Sequence, residues 1–339
     1  MISMNRISLL LLAALIGLAG CTEKADKVYL PPYKPDKPIV DDDIDAEYFD
    51  PRADILFVID DSVSMDDHQN NLVQNINKFT EVFLQKSVLD YNIGVISTDN
   101  DGSKNPCCGR LYGGVTTVVN KRTPNAEIVL KRNLYIGTGG SGYERPFDTT
   151  VLAFSPQRLA NENRDFYRPD ASLIIVFITD AEDQSRVYPT DLYTSLLTMK
   201  GGDDKKVMAY GAIIPTTERN CTRDDPGATP RRIEQFLDMV SNKGNNVLNL
   251  CDPGFGERLA AFATEIVEKT SSMIYLSRAP QPDTIVVTYG DVPLPSDPNV
   301  GWTFSPIDNT IRLGAQIDWK AQPVGSKIKV SYKALTYED

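Results

Sequence analysis

The sequence predicts an α/β protein, a doubly wound and mostly parallel sheet followed by a small all-β, sandwich-like domain. Three observations predict it. Short runs dense in β-branched and large apolar residues recur, above all Ile55-Leu56-Phe57-Val58-Ile59 and Leu173-Ile174-Ile175-Val176-Phe177-Ile178. Apolar runs without polar alternation read as strands buried on both faces. Between them lie segments with apolar residues three and four apart, the spacing of amphipathic helices. Beyond Pro280 the helical period stops, and short strands are separated by Pro, Gly, Asn and Asp turns.

The elements follow in order. Residues 1–20 form a leader: Arg6 gives a positive start, and the apolar stretch from Ile7 to about Ala19 is short for a bilayer span. It ends in Leu18-Ala19-Gly20-Cys21, which resembles the lipobox of bacterial lipoproteins. That resemblance implies cleavage before Cys21 and lipidation of Cys21. Thr22 follows where the family's inner-membrane retention signal has Asp, so the expected location is the bacterial cell envelope, lipid-anchored at the outer membrane. Whether the protein faces the periplasm or the surface stays open. Residues 21–52, with Pro31-Pro32, Pro35, Pro38 and Asp41-Asp42-Asp43, lack an apolar period and read as an extended tether.

Roughly 290 residues remain, enough for one sizeable domain and a small one. Residues 53–279 carry the α/β pattern. After the first strand, Leu72, Ile76, Phe79 and Phe83 predict a helix over about 67–86, and Tyr91 to Ile96 a second strand. A long irregular stretch, about 99–131, holds Cys107 and Cys108. A glycine-rich turn at 137–142 leads into a helix over about 146–159. Helices are expected near 191–198, 230–242 and 257–269, strands at 173–178 and 206–214, and Met273 to Leu276 as the strand that closes the sheet. In residues 280–339, Thr284–Tyr289, Trp302–Phe304, Thr310–Leu313 and Lys327–Tyr332 read as the strands of a sandwich too small to be stable alone.

The chemistry concentrates where the first strand ends, at Asp60-Asp61-Ser62-Val63-Ser64. Asp and Ser are also common turn and N-cap residues, so the pattern alone is weak. The strand in front of it changes the reading, because ligands in open α/β sheets bind beyond the carboxyl ends of strands. Oxygen-only donors suit a hard cation such as Mg²⁺, with Mn²⁺ or Ca²⁺ as substitutes. This D-x-S-x-S run resembles the metal-ion-dependent adhesion site of von Willebrand factor type A domains, and the resemblance extends over about Ala53 to Ser277. It implies Asp60, Ser62 and Ser64 as the first ligand loop, with the hydroxyls direct and Asp60 acting mainly through water. In the second loop the family usually supplies threonine. Here Gly140-Ser141-Gly142-Tyr143-Glu144-Arg145-Pro146-Phe147-Asp148 looks like the integrin β-subunit variant, which assigns Glu144, with Ser141, Thr149 or Thr150 as stand-ins. The third loop gives Asp180, flanked by Glu182 and Asp183. Ser141, Thr149 and Asp183 are the candidate outer ligands. The implied partner is a protein that presents an acidic residue to the metal.

Composition narrows the alternatives. The net charge is −11 with no basic cluster, which argues against nucleic acid. A haloacid-dehalogenase-type phosphatase needs a second carboxylate two residues after the first, where Ser62 stands. A serine hydrolase built on Gly139-Gly140-Ser141-Gly142-Tyr143 has Tyr143 in place of glycine, and His68 is the chain's one histidine. No enzyme is therefore expected; a metal-independent scaffold of an envelope complex is the alternative. Of the remaining cysteines, Cys221 with Cys251 is the preferred disulfide, closing a loop of about 30 residues worth roughly 3–4 kcal/mol. That leaves Cys107 and Cys108 as a vicinal bridge or reduced, with crossed pairings open.

Overall fold

The apolar run 55–59 lies in an interior strand of a six-stranded sheet. The computed structural model describes residues 44–49, 51–85, 89–102, 106–217, 230–323 and 326–335. The leader, Cys21, most of the tether and Cys221 lie outside them. Strand β1 spans Ile44–Phe49 and β2 Arg52–Ile59. Strand β2 runs parallel to β3 (Asp90–Ser97) on one side and to β5 (Ser172–Ile178) on the other. With β4 (Val119–Asn120), β6 (Val207–Ile213) and β7 (Val247–Asn249) the sheet has the order β4-β3-β2-β5-β6-β7, parallel except for β4. The fold class is the expected one.

Alternate residues of β2 feed opposite faces, as the two-residue period of a strand requires. Ile55, Phe57 and Ile59 pack with α1 (Asp66–Gln85), α2 (Ala126–Leu134) and α7 (Phe255–Ser271) through Leu72, Ile76, Phe79, Leu130 and Phe262. Leu56 and Val58 pack the other way, with α3 (Pro146–Ala153), α5 (Pro189–Met199) and α6 (Arg231–Leu237) through Phe147, Leu192 and Phe236. Truncating a fully buried aromatic such as Phe79 in such a layer costs about 3–5 kcal/mol. Because the chain goes from β2 to β3 on one side and returns to β5 on the other, β2 ends at the crevice where the winding reverses.

Four local readings differ from the structure. The helix expected over 146–159 is two, α3 and α4 (Pro156–Ala160), because Pro156 cannot continue α3 and Ser155 caps the new start, accepting from the Arg158 amide. The irregular stretch after residue 99 contains β4 and helix α2. Strand β8 (Met273–Tyr275) does not close the parallel sheet; it pairs antiparallel with β12 (Thr310–Leu313), itself paired with β11 (Trp302–Ser305). And β1, within the stretch read as tether, pairs antiparallel with β13 (Ile328–Lys333). Next to β13 lie β9 (Val286–Tyr289) and β10 (Val292–Pro293). The two antiparallel sheets share a core of Val287, Tyr289, Trp302, Ile311, Trp319, Val330 and Tyr332. Among the described residues no helix is long and apolar enough to cross a membrane.

Candidate metal centre

The parallel register places the ends of three strands side by side: Ile59 is level with Ser97 and with Ile178. The ladder continues one residue beyond, the Asp60 amide donating to the Ile178 carbonyl at 2.9 Å and the Thr98 amide to the Ile59 carbonyl at 3.0 Å. Asp60, Thr98 and Thr179–Asp180 thus leave the sheet as neighbours.

Asp60 is fully buried. Its Oδ1 accepts from the Ser62 amide at 2.8 Å, and its Oδ2 from the Thr179 hydroxyl at 2.6 Å. The first bond turns the chain outward, so Ser62 and Ser64 bring their hydroxyl oxygens within 3.1 Å of each other at the surface. A short 3-10 turn at Val63–Met65 then leads into α1. Gln69 of α1, also buried, donates to the Asp60 carbonyl (2.8 Å) and the Gly137 carbonyl (3.1 Å) and accepts from the Gly137 amide. It fastens the first loop to the glycine-rich one. Gly140 donates its amide to the Asp61 carbonyl at 2.9 Å, and a Cβ there would fall on the Asp61 carboxylate. That close approach is what makes glycine necessary at 140.

Glu144 enters just before α3 and is 1% exposed. The Thr98 hydroxyl donates to its Oε2, while its Oε1 is buried without a hydrogen-bond partner. Its backbone is held too: the Glu144 carbonyl accepts from the Gln184 amide at 2.7 Å, and the Arg145 amide donates to Thr98. Asp180 is 4% exposed.

The electrostatics follow from this burial. Desolvation, then the charge of Asp180, pushes Asp60 up to about 7. Glu144 is pushed up to about 9, by burial first and then by Asp60, with Asp61 and Asp180 adding to it against the Thr98 hydrogen bond. Among the described residues neither Asp60 nor Glu144 forms an ion pair with Lys or Arg. Buried carboxylates in mutual contact ionise only with a counter-charge. No set of three or more His, Cys, Asp or Glu side chains forms a metal cage among the described residues. A cation here would draw on hydroxyls as well as carboxylates. The oxygen donor set, the unpartnered Glu144 Oε1 and the pair of surface hydroxyls fit a hard divalent ion.

The other named residues have different surroundings. Asp183 pairs with Arg232 at 3.2 Å and accepts from the Ser185 hydroxyl; burial still holds its carboxyl up at about 6. The Ser185 oxygen in turn accepts from the Phe147 and Asp148 amides at the start of α3, and Glu182 accepts from the Arg231 and Arg232 amides at the start of α6. These acids brace the third loop against two helices. The Thr149 and Thr150 hydroxyls both donate to the Pro146 carbonyl, and the Ser141 oxygen accepts from the Tyr143 amide. His68 lies edge-on to Phe255. Cys107 and Cys108 are bonded to each other. Cys251 is also in a disulfide, and its expected partner Cys221 lies outside the described residues. Sequence reasoning passed over Thr98 and Gln69. Thr98 carried a usable signal, a hydroxyl residue right after an apolar strand.

No family model matches this sequence, and no curated protein matches it. Among solved structures, proximal thread matrix protein 1 from the mussel byssus is similar at 12% identity and a TM-score of 0.41, covering 69% of this chain and 52% of that one. A second structure of that protein, with a zinc-occupied metal-ion-dependent adhesion motif, gives a TM-score of 0.40 at 12% identity, covering 68% and 51%. The pilus adhesin SpaC of Lactobacillus rhamnosus GG, in its open conformation, gives 0.39 at 12% identity, covering 83% of this chain and 38% of that one. The chain spans about half or less of the length of these proteins. Likeness at this level says nothing of function.

Proposed function

We propose that this chain is a non-enzymatic interaction protein that engages an acidic segment of a protein partner through a divalent cation, Mg²⁺ in the first instance. In this reading it is lipid-anchored through Cys21 in the bacterial cell envelope, at the outer membrane. One observation carries the cation reading: Glu144, 1% exposed and with Oε1 unpartnered, stands with Asp60, Asp61 and Asp180. Asp60, Ser62, Ser64, Glu144 and Asp180 would hold the ion. When bound, the ion offers an open position to an acidic oxygen of the partner. Ser62 and Ser64, as neutral donors, leave it electron-poor, whereas Glu144 tightens its hold and moderates its attraction for a second acid. Asp60 orients the Ser62 amide and Thr98 orients Glu144.

The test is thermal unfolding in Mg²⁺, Mn²⁺ or chelator, beside Asp60→Ala. A ligand at a hundredfold excess over its dissociation constant adds about 2.7 kcal/mol. For a domain of this size that raises the melting temperature by roughly 5–10 °C. Loss of the shift in Asp60→Ala supports the site. A wild-type melt indifferent to all cations sinks it and favours a metal-independent scaffold.

A further inference from the structure

Cys107 and Cys108 are bonded to each other in a segment, 107–109, that touches the chain after β3 through Cys108 and helix α3 through Gly109. Cys108 has a φ of 57°, a left-handed conformation uncommon for any residue but glycine. In that conformation its amide donates to the Asp99 carbonyl at 3.0 Å. Asp99 follows Thr98, the residue whose hydroxyl holds Glu144 and whose carbonyl accepts from the Arg145 amide. On the far side, Gly109 presses so closely on α3 that a Cβ would strike the backbone at Thr149 and Ala153. Asn163 pins this arrangement, its amide donating to the Gly109 and Ala153 carbonyls at 2.7 and 2.9 Å and its oxygen accepting from Leu111. The disulfide thus sits between the strand end that carries Thr98 and the helix that Glu144 leads into. Both cysteines are partly exposed.

We propose that Cys107–Cys108 is a redox switch for the cation site, opened by a dithiol reductant; this rests on the cation reading above. Reduction breaks the one S–S bond, each sulfur gains an electron and a proton, and the dithiol closes to its own disulfide. Without the ring, Cys108 relaxes from the left-handed region, its amide leaves the Asp99 carbonyl, and the Thr98–Glu144 pairing loses a support. The oxidised protein binds the cation and the reduced protein releases it.

The experiment compares the full chain oxidised and after dithiothreitol, with thiol content read by intact mass after alkylation. Two quantities are measured: amide hydrogen exchange over residues 97–101 in chelator, and Mg²⁺ affinity by calorimetry. Reduction also opens the Cys251 disulfide, so Cys107→Ser with Cys108→Ser, kept oxidised, isolates the pair. Cys107→Ala with Cys108→Gly supplies a residue that adopts positive φ freely. The reduced chain and the double serine variant should exchange faster over 97–101 and bind Mg²⁺ about fivefold or more weakly, while the Ala–Gly variant keeps the oxidised values. Unchanged exchange and affinity on reduction overturn the switch and leave the cation reading intact. Should the oxidised chain bind no Mg²⁺ at all, the cation reading fails and the switch with it. If the double serine variant does not fold, the reduced wild type against the equally reduced Ala–Gly variant, in which the Cys251 disulfide is open as well, decides.

Discussion

The two ends of β2 each bury an aspartate, and they neutralise it differently. At the amino end, Asp54 is fully buried, but the Arg168 side chain meets its Oδ1 at 2.7–2.8 Å and the Arg168 amide its Oδ2 at 2.6 Å. Arg168 also pairs with Asp90 at 2.8 Å, and Lys200 adds a further positive charge against Asp54. At the carboxyl end, Asp60 receives a hydroxyl and an amide, and its charged neighbour is Asp180. Burial raises both carboxyls, to about 6 for Asp54 and about 7 for Asp60. The difference is in the counter-charge. One end of the strand carries its own cation as a side chain; at the other, in the reading proposed above, the cation comes from solution.

Breaking the self-sufficient end should have the largest effect. Arg168→Ala leaves Asp54 buried without its partner and should cost about 3–5 kcal/mol, read by urea unfolding and indifferent to Mg²⁺; a cation-dependent loss would mean that the two ends communicate. Glu144→Gln acts in the opposite direction. With its carboxyl at about 9, Glu144 must take up a proton to fold in chelator at pH 8; the glutamine needs none and should stabilise the chelated protein by ~2 kcal/mol while reducing the response to Mg²⁺. A destabilised, still Mg²⁺-responsive variant would remove Glu144 from the site.

Acidity sharpens the contrast. Asp54 and Asp183 at about 6, Asp60 at about 7 and Glu144 at about 9 all lie above their unfolded values near 4. Each is raised, so the native state holds protons that the unfolded chain has released. Stability from these groups is complete below about pH 4 and is lost as pH rises through 6 to 9. In chelator the melting temperature should fall between pH 6 and pH 8.5. Saturating Mg²⁺ should shrink that fall, because it replaces protons at Asp60 and Glu144 and leaves Asp54 and Asp183 as they were. Equal slopes with and without Mg²⁺ would put both ends on the same footing. The smallest effect expected is that of Thr98→Val, which keeps the shape but removes the hydroxyl from Glu144, at about 1 kcal/mol and with a weaker Mg²⁺ response.

The same contrast explains what could be read from the sequence. Asp60 follows directly on β2, Ser62 and Ser64 lie in the same loop, and Asp180 stands two residues beyond β5, so these candidate positions stand out in a local pattern to which the family resemblance gives roles. Glu144 was reached through resemblance to a known loop. Thr98 had a local signal, a hydroxyl residue just after β3, but its role depends on which strand lies beside β2; Gln69 had none, because its role depends on how α1 is rotated. Strand β1 was missed for a related reason. Ile44-Asp45-Ala46-Glu47-Tyr48-Phe49 alternates apolar and acidic residues over only five positions, next to an Asp- and Pro-rich stretch that reads as tether, and its strand character is fixed by pairing with β13. Strand β8 is short enough to belong to either sheet, and only its register with Thr310–Arg312 decides.

The pairing of Ile44 with Lys333 joins the first described strand to the last. Among the described residues few contacts span a greater sequence separation, and closing so long a loop is slow. During synthesis the parallel sheet around β2 can assemble while β13 is still unmade, and for that interval β1 has no edge to lie on. The sheet that holds β1 can therefore be completed only once β13 has been made. A chain cut after the parallel sheet would strand β1 as an unmatched edge, exposed to pairing with other chains.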